Sequence, residues 1–177
     1  SPSQSTEASL PNVLSAFEAS PDYTTFTMTI RPGLKWSDGS PVTTEDVRFT
    51  IEDLYRNPDV QRPWPSELYT RGNPNLPPAE LTVVDENTFV LKFAEPYGFF
   101  VSALNSWIPY YDFLIKPSHY LKQFHAKYAD ADALQKLVTE KGEANWVQLL
   151  QKMDVPHWEV GLSGVLHVLL HLGQVSV

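Results

Sequence analysis

Residues 23–55 limit the possible folds more than any other stretch of this chain. Thr25, Thr27 and Thr29 alternate with Phe26, Met28 and Ile30. A period of two places the three apolar side chains on one face, so the segment predicts a half-buried strand. Pro32-Gly33 interrupts it, Lys35-Trp36 follows, and Asp38-Gly39 supplies a tight turn. Thr43 or Thr44 then offers a hydroxyl to cap a helix, and Glu45 and Asp46 stand where the helix dipole favours carboxylates. Val47, Ile51, Leu54 and Tyr55 recur at i, i+4, i+7 and i+8, one apolar face, and Asn57-Pro58 ends the helix. Such a unit demands a sheet for the strand to join and a core for the helix to cover.

Short elements follow. Pro58 to Pro78 is a proline-rich crossing that carries Trp64, Tyr69 and Arg71, and connections of that length are commonly functional. Residues 81–84 and 88–93 predict a hairpin around Asp85-Glu86-Asn87. Glu95-Pro96 opens an aromatic helix over 97–105, with Phe99, Phe100 and Leu104 facing the core. Pro117 suits the first turn of a helix bearing Tyr120, Leu121 and Phe124. Asp130 caps the next helix, where Leu134, Leu137 and Val138 share a face and Gly142 is the stop. Asn145 caps the last, with Trp146, Leu149 and Leu150 inward. The fold class is therefore α+β: a small, mainly antiparallel sheet with several short packed helices.

The 177 residues, 42% of them hydrophobic and 19% charged, suffice for a packed core. A formal net charge of −8 argues against a phosphate-tracking face, so no nucleic-acid partner is expected. The lack of cysteine excludes disulfides, thiolate metal sites and a cysteine nucleophile. Ser1 to Ser9 has no apolar signal-peptide core, which fits either an exported chain without its signal or a cytosolic one. Val160 to Val177 is uncharged and centred on VLHVLLHL, but it is short and polar for a span of about 20 residues. A buried segment is expected there rather than a membrane helix.

Catalytic chemistry finds little support. His167 and His171 have the i, i+4 spacing of two ligands on one helical face, but Val168 stands where a zinc-protease glutamate belongs and no acid lies nearby. An incidental pair is expected, with no metal. His119, His125 and His157 show no ligand spacing and are expected at the surface or partly packed. Gly161-Leu162-Ser163-Gly164-Val165 fails as a nucleophile elbow at Val165. Glu45-Asp46 and Glu52-Asp53 are helix neighbours whose carboxylates point apart, unsuited to acid–base work. No phosphate-binding glycine loop occurs. The chain is expected to be no enzyme, with no catalytic residue and no cofactor. Trp64, Tyr69, Trp107, Tyr110 and Tyr111 lie in loop-like contexts, where aromatics either stack on a ligand or plug irregular packing.

Asn12 to Tyr55, NVLSAFEASPDYTTFTMTIRPGLKWSDGSPVTTEDVRFTIEDLY, resembles the signature region of family 5 of the bacterial extracellular solute-binding proteins, the peptide- and nickel-binding receptors of ABC importers. Arg31, Gly33, Leu34, Lys35, Trp36, Asp38, Gly39, Pro41, Thr43, Glu45, Asp46 and Val47 fall on its pattern in register. Val83 to Phe89, with Leu91, Phe93, Pro96 and Tyr97, is similar to the family's next hairpin and helix. KPSHYLKQFHAKYAD and the residues up to Met153 resemble the oligopeptide-binding branch; beyond Pro156 the resemblance ends.

This resemblance implies a piece of a longer, two-lobed receptor that closes on its ligand. Residues 1–11 would be a flexible leader, 12–155 a subdomain of the N-terminal lobe, and 156–177 an unassigned apolar tail. It implies the substrate-binding component of an ABC transporter, with a peptide or other small solute as ligand of the full-length protein and permease subunits as partners. The place implied is extracytoplasmic, in the periplasm or anchored at the outer face of the cell membrane. Tyr69, and after it Trp64, are the ligand-binding candidates. Arg31, Gly33, Trp36, Asp38, Gly39, Pro41, Thr43 and Asp46 are expected to be structural, since turn and cap already explain their types. The isolated chain is expected to bind ligand weakly or not at all. The alternative is a structural or interaction module that docks to another domain through exposed aromatics.

Overall fold

The computed structural model describes residues 13–36, 38–105 and 113–154, with the backbone of 168–169. In chain order the elements begin with strands β1 (Leu14–Ala19), β2 (Thr25–Ile30) and β3 (Lys35–Trp36). Helix α1 (Thr44–Arg48) continues as a π-helix over Phe49–Tyr55, and 3-10 turns follow at Ser66–Leu68 and Thr70–Gly72. Then come β4 (Glu80–Val83), β5 (Thr88–Lys92), α2 (Phe100–Asn105) and α3 (Ser118–Leu121), with a 3-10 turn at Lys122–Phe124. The described chain closes with α4 (Ala131–Glu140), α5 (Trp146–Met153) and β6 (Val168–Leu169). These elements form two compact units, one from 13–34 and 63–105, the other from 35–62, 113–154 and 168–169.

The first unit is built on a four-stranded antiparallel sheet in the order β1-β2-β5-β4. The alternation in β2 does what a period of two predicts: Phe26, Met28 and Ile30 are fully buried. Phe26 and Met28 lie opposite Leu91 and Phe89 of β5, both also buried. Phe26 packs on Phe93 and Phe100 at ring-centroid distances of 5.7 and 4.9 Å, which makes the core of this unit largely aromatic. The β4–β5 hairpin turns where Asp85 Oδ1 accepts the amides of Asn87 and Thr88. Helix α2 starts later than the sequence predicts. Tyr97 takes the inward place, and Phe99, expected in the core, falls in the preceding turn and is 56% exposed. Phe100 and Leu104 are buried as expected.

In the second unit Phe49, Leu54, Val60, Leu121, Phe124, Leu134, Val138, Leu149 and Leu150 form one apolar core. The helix after Thr43 is regular only as far as Arg48. Thr50 Oγ1 donates to the Asp46 carbonyl at 2.6 Å, a bond back over one turn that competes with the regular ladder. The chain then widens, and the Arg56 amide reaches back five residues to the Ile51 carbonyl. The wider turn buries Thr50 and Asp53 along with the predicted Ile51, Leu54 and Tyr55. Asp130 and Asn145 cap α4 and α5 as expected, each accepting an amide three residues on. Pro117 precedes α3 as its N-cap instead of standing in its first turn. His125, expected at the surface or partly packed, is buried among Phe49, Tyr128 and Trp146. Among the described residues no helix is long and apolar enough to cross a membrane. The predicted buried segment in 160–177 lies outside them, apart from the β6 backbone paired with β3.

Candidate functional site

The signature residues divide between the two units. Arg31 and Gly33 belong to the first, where the Arg31 amide donates to the Val13 carbonyl and Gly33 turns the chain at φ +79°. Trp36, Asp38, Gly39, Pro41, Thr43 and Asp46 belong to the second and act together there. Gly39 takes φ +88° while its amide donates to the Trp36 carbonyl, and Asp38 Oδ1 accepts the Ser40 amide. That turn needs a left-handed residue, which glycine adopts without strain. Pro41 pairs back on Lys35, and Thr43 caps α1 in a reciprocal capping box with Asp46.

Asp46 is the hub of this arrangement and is buried. Its Oδ2 accepts the Trp36 indole N–H at 3.0 Å and the Thr43 amide at 3.1 Å. Its Oδ1 accepts the Ser118 amide at 3.0 Å and the Ser118 hydroxyl at 2.6 Å. Four donors from three segments saturate both oxygens, so the carboxylate has nothing left for a ligand. One turn on, Thr50 Oγ1 accepts the Lys116 amide at 3.1 Å, which pins the same downstream segment again.

Around this hub lies a more open ionic network. Arg48 forms two bonds to Glu45 at 2.7 Å and one to Asp53 at 2.8 Å. Lys122 joins Glu45 at 2.8 Å, Lys127 joins Asp53 at 2.8 Å, and the Tyr128 hydroxyl donates to Asp53. Arg48, helped by Lys122 against a partial burial cost, pulls the Glu45 carboxyl down to about 2. Burial alone would raise the Asp53 carboxyl; Lys127, Tyr128 and Arg48 outweigh it and hold the group low. Beside this network an open cleft of about 400 Å³ is lined by His119, Lys122, Tyr128, Asp130, Leu134 and Leu137. Asp38 reaches His119 at 2.7 Å.

The two ligand-binding candidates lie on one connection of the first unit. Trp64 and Tyr69 are both half-buried. Tyr69 is extended between the two 3-10 turns and bridges to Pro78, while Leu68 anchors the loop in the core. Arg71, left-handed at φ +52°, donates to the Pro96 carbonyl at 2.7 Å and to Glu95 at 2.6 Å. Thr70 is buried with its hydroxyl unpartnered. The long connection is therefore a built structure, although proline content alone gave no sign of its anchors. The exposed Tyr23, at φ +56°, was also missed, since nothing in sequence marks a tyrosine as left-handed. Trp107, Tyr110, Tyr111, His157, His167, His171 and the Gly161–Val165 stretch lie outside the described residues. No group of side chains able to hold a metal occurs among the described residues.

Residues 10–139 match the profile described as "Bacterial extracellular solute-binding proteins, family 5 Middle". The periplasmic alpha-galactoside-binding protein of Rhizobium meliloti is 32% identical over 123 residues, 68% of this chain and 16% of that protein. The oligopeptide-binding protein OppA of Bacillus subtilis is 28% identical over 105 residues, 54% of this chain and 19% of that protein. A solved structure of an oligopeptide-binding protein OppA superimposes with a TM-score of 0.65 at 30% identity, covering 80% of this chain and 21% of that one. The chain thus spans about a fifth or less of the length of each.

Proposed function

The chain belongs to family 5 of the bacterial extracellular solute-binding proteins, and from that premise we propose that it is part of the substrate-binding component of an ABC transporter for peptide import. In this reading residues 12–155 form a subdomain of one lobe, working outside the cytoplasm and delivering solute to permease subunits without catalysis. Peptide is the solute class favoured by the names of the relatives, with the alpha-galactoside-binding relative making an oligosaccharide the alternative.

The observation that carries the reading of the site is the saturation of Asp46. With its signature spent on internal bonds, the module positions other elements and leaves contact with solute to the half-buried aromatics of the 61–79 connection. Tyr69 and then Trp64 supply flat faces for a side chain or ring of the ligand. Titration calorimetry with short peptides and with alpha-galactosides tests this. The isolated chain is expected to bind no tighter than about 1 mM. In the intact receptor, Tyr69→Ala is expected to weaken binding about tenfold while Asp38→Ala leaves affinity unchanged. Micromolar binding by this chain alone, or an unaffected Tyr69→Ala receptor, would contradict the proposal. The interaction-module alternative draws on Tyr23 and Phe99, 50% and 56% exposed on the first unit. Sedimentation that stays monomeric at high concentration would count against it.

A further inference from the structure

Within the second unit Arg62 and Lys116 share one acid, Asp154. Arg62 Nη1 donates to Asp154 Oδ2, and Lys116 Nζ donates to Asp154 Oδ1 at 3.0 Å. The three side chains are only 16, 11 and 9% exposed. Two cations against one carboxylate leave an excess positive charge in a largely dehydrated place. Asp154 ends α5, whose C-terminal dipole adds only a fraction of a negative charge. The guanidinium and the ammonium each use one donor on Asp154, and their other donors have no partner among the described residues. Unpaired charge in such surroundings is costly, which makes a second anion the natural complement.

The backbone holds both cations in place. Gln61, directly before Arg62, is left-handed at φ +50°, a strained conformation for a residue with a side chain. The Lys116 amide is fixed by Thr50 Oγ1. Lys116 lies outside both the signature and the 61–79 connection, while Arg62 stands at the start of that connection, on the part that belongs to the second unit.

We propose that Arg62 and Lys116 form an oxyanion site that takes a carboxylate or phosphate group on the donors Asp154 leaves free. Bidentate geometry suits the guanidinium, and the ammonium adds a point charge. Asp154 then competes with the guest from inside the site, so weakening that competitor strengthens binding.

The test is thermal unfolding of the 177-residue chain in sodium phosphate, sodium acetate and sodium chloride at equal pH and ionic strength, with calorimetric titration of phosphate and acetate. Phosphate or acetate is expected to raise the midpoint above that in chloride, and the stronger of the two identifies the guest chemistry. Arg62→Gln keeps a neutral Lys116–Asp154 pair, so the chain retains its fold, and is expected to bind the anion about tenfold more weakly. Asp154→Asn is expected to bind it more tightly than the unmodified chain. Equal midpoints in all three salts, or an unchanged anion response in Arg62→Gln, would overturn the proposal. Should Asp154→Asn fail to fold, the comparison of Arg62→Gln with the unmodified chain decides it.

Discussion

At the scale of single residues, Asp46 shows how far position in a helix can mislead about role. Sequence places it in the first turn, where any carboxylate gains from the dipole. The structure gives it a larger task, since Ser118, 72 positions further on, closes over its Oδ1. Asp46→Ala would strand the Trp36 indole N–H, two amides and a hydroxyl, and is expected to destabilise the chain by about 3 kcal/mol or more. Asp38→Ala removes a half-exposed pair with His119 and an exposed turn bond, and is expected to cost about 1 kcal/mol or less. Urea unfolding of both variants, compared at their midpoints with unchanged m, checks the contrast. The cap and the Asp38-Gly39 turn were legible because their partners lie within three residues. The Ser118 contact was not, because no local pattern reports a bond across 72 positions. His125 was misjudged for the same reason: its neighbours Phe49 and Trp146 come from elements far away in sequence.

At the scale of elements, legibility followed burial. β2 has buried neighbours at every second position and announces itself, whereas β1 is an edge strand with only Leu14 buried along its length. An edge exposed to solvent has no need of alternation, so its sequence is silent. The widened helix after Arg48 was hidden differently. Apolar spacing of i, i+4, i+7 and i+8 satisfies an α-helix and does not report that Thr50 bonds backward to Asp46 and accepts from Lys116. Thr50→Val preserves shape and deletes both bonds, leaving the buried Lys116 amide without its acceptor. It is expected to cost about 1–3 kcal/mol, with faster hydrogen exchange at the Lys116 amide as its local signature. Unchanged exchange there would mean that another acceptor replaces Thr50. In the candidate ligand connection, the proline-rich stretch was legible as a long crossing with two aromatics. The clamp of Arg71 on Glu95 and Pro96 was not, because it joins segments that are distant in sequence.

At the scale of the whole molecule the two units differ in chemistry. The first has a core of Phe26, Phe89, Phe93 and Phe100 beside its sheet, with little that titrates inside. The second contains Glu45, Asp53, His125 and Asp154, all with shifted titration. Burial holds His125 below its ordinary 6.5 against the opposing pull of the Asp53 carbonyl and carboxylate and of Asp59, and Lys127 adds to the lowering. Its Nδ1 accepts the Lys127 amide, which leaves no room there for a second proton. Well above pH 6.5 the ring is neutral whether the chain is folded or not, and stability is undiminished. Below it the unfolded chain takes up the proton first, so stability falls with pH until the folded ring also titrates. The carboxylates act in the same direction at lower pH. Their folded values lie below the ordinary 3.8 to 4.5, and their contribution is lost as pH drops through those folded values, about 2 for Glu45. Acid unfolding is therefore expected in two stages, a first loss below pH 6.5 and a second below about pH 4. Urea midpoints measured from pH 7 to pH 3 resolve the two stages. His125→Gln should abolish the first while keeping the second, and hydrogen exchange should show both in the second unit ahead of the β2–β5 amides. A first stage that survives in His125→Gln would assign it to another group.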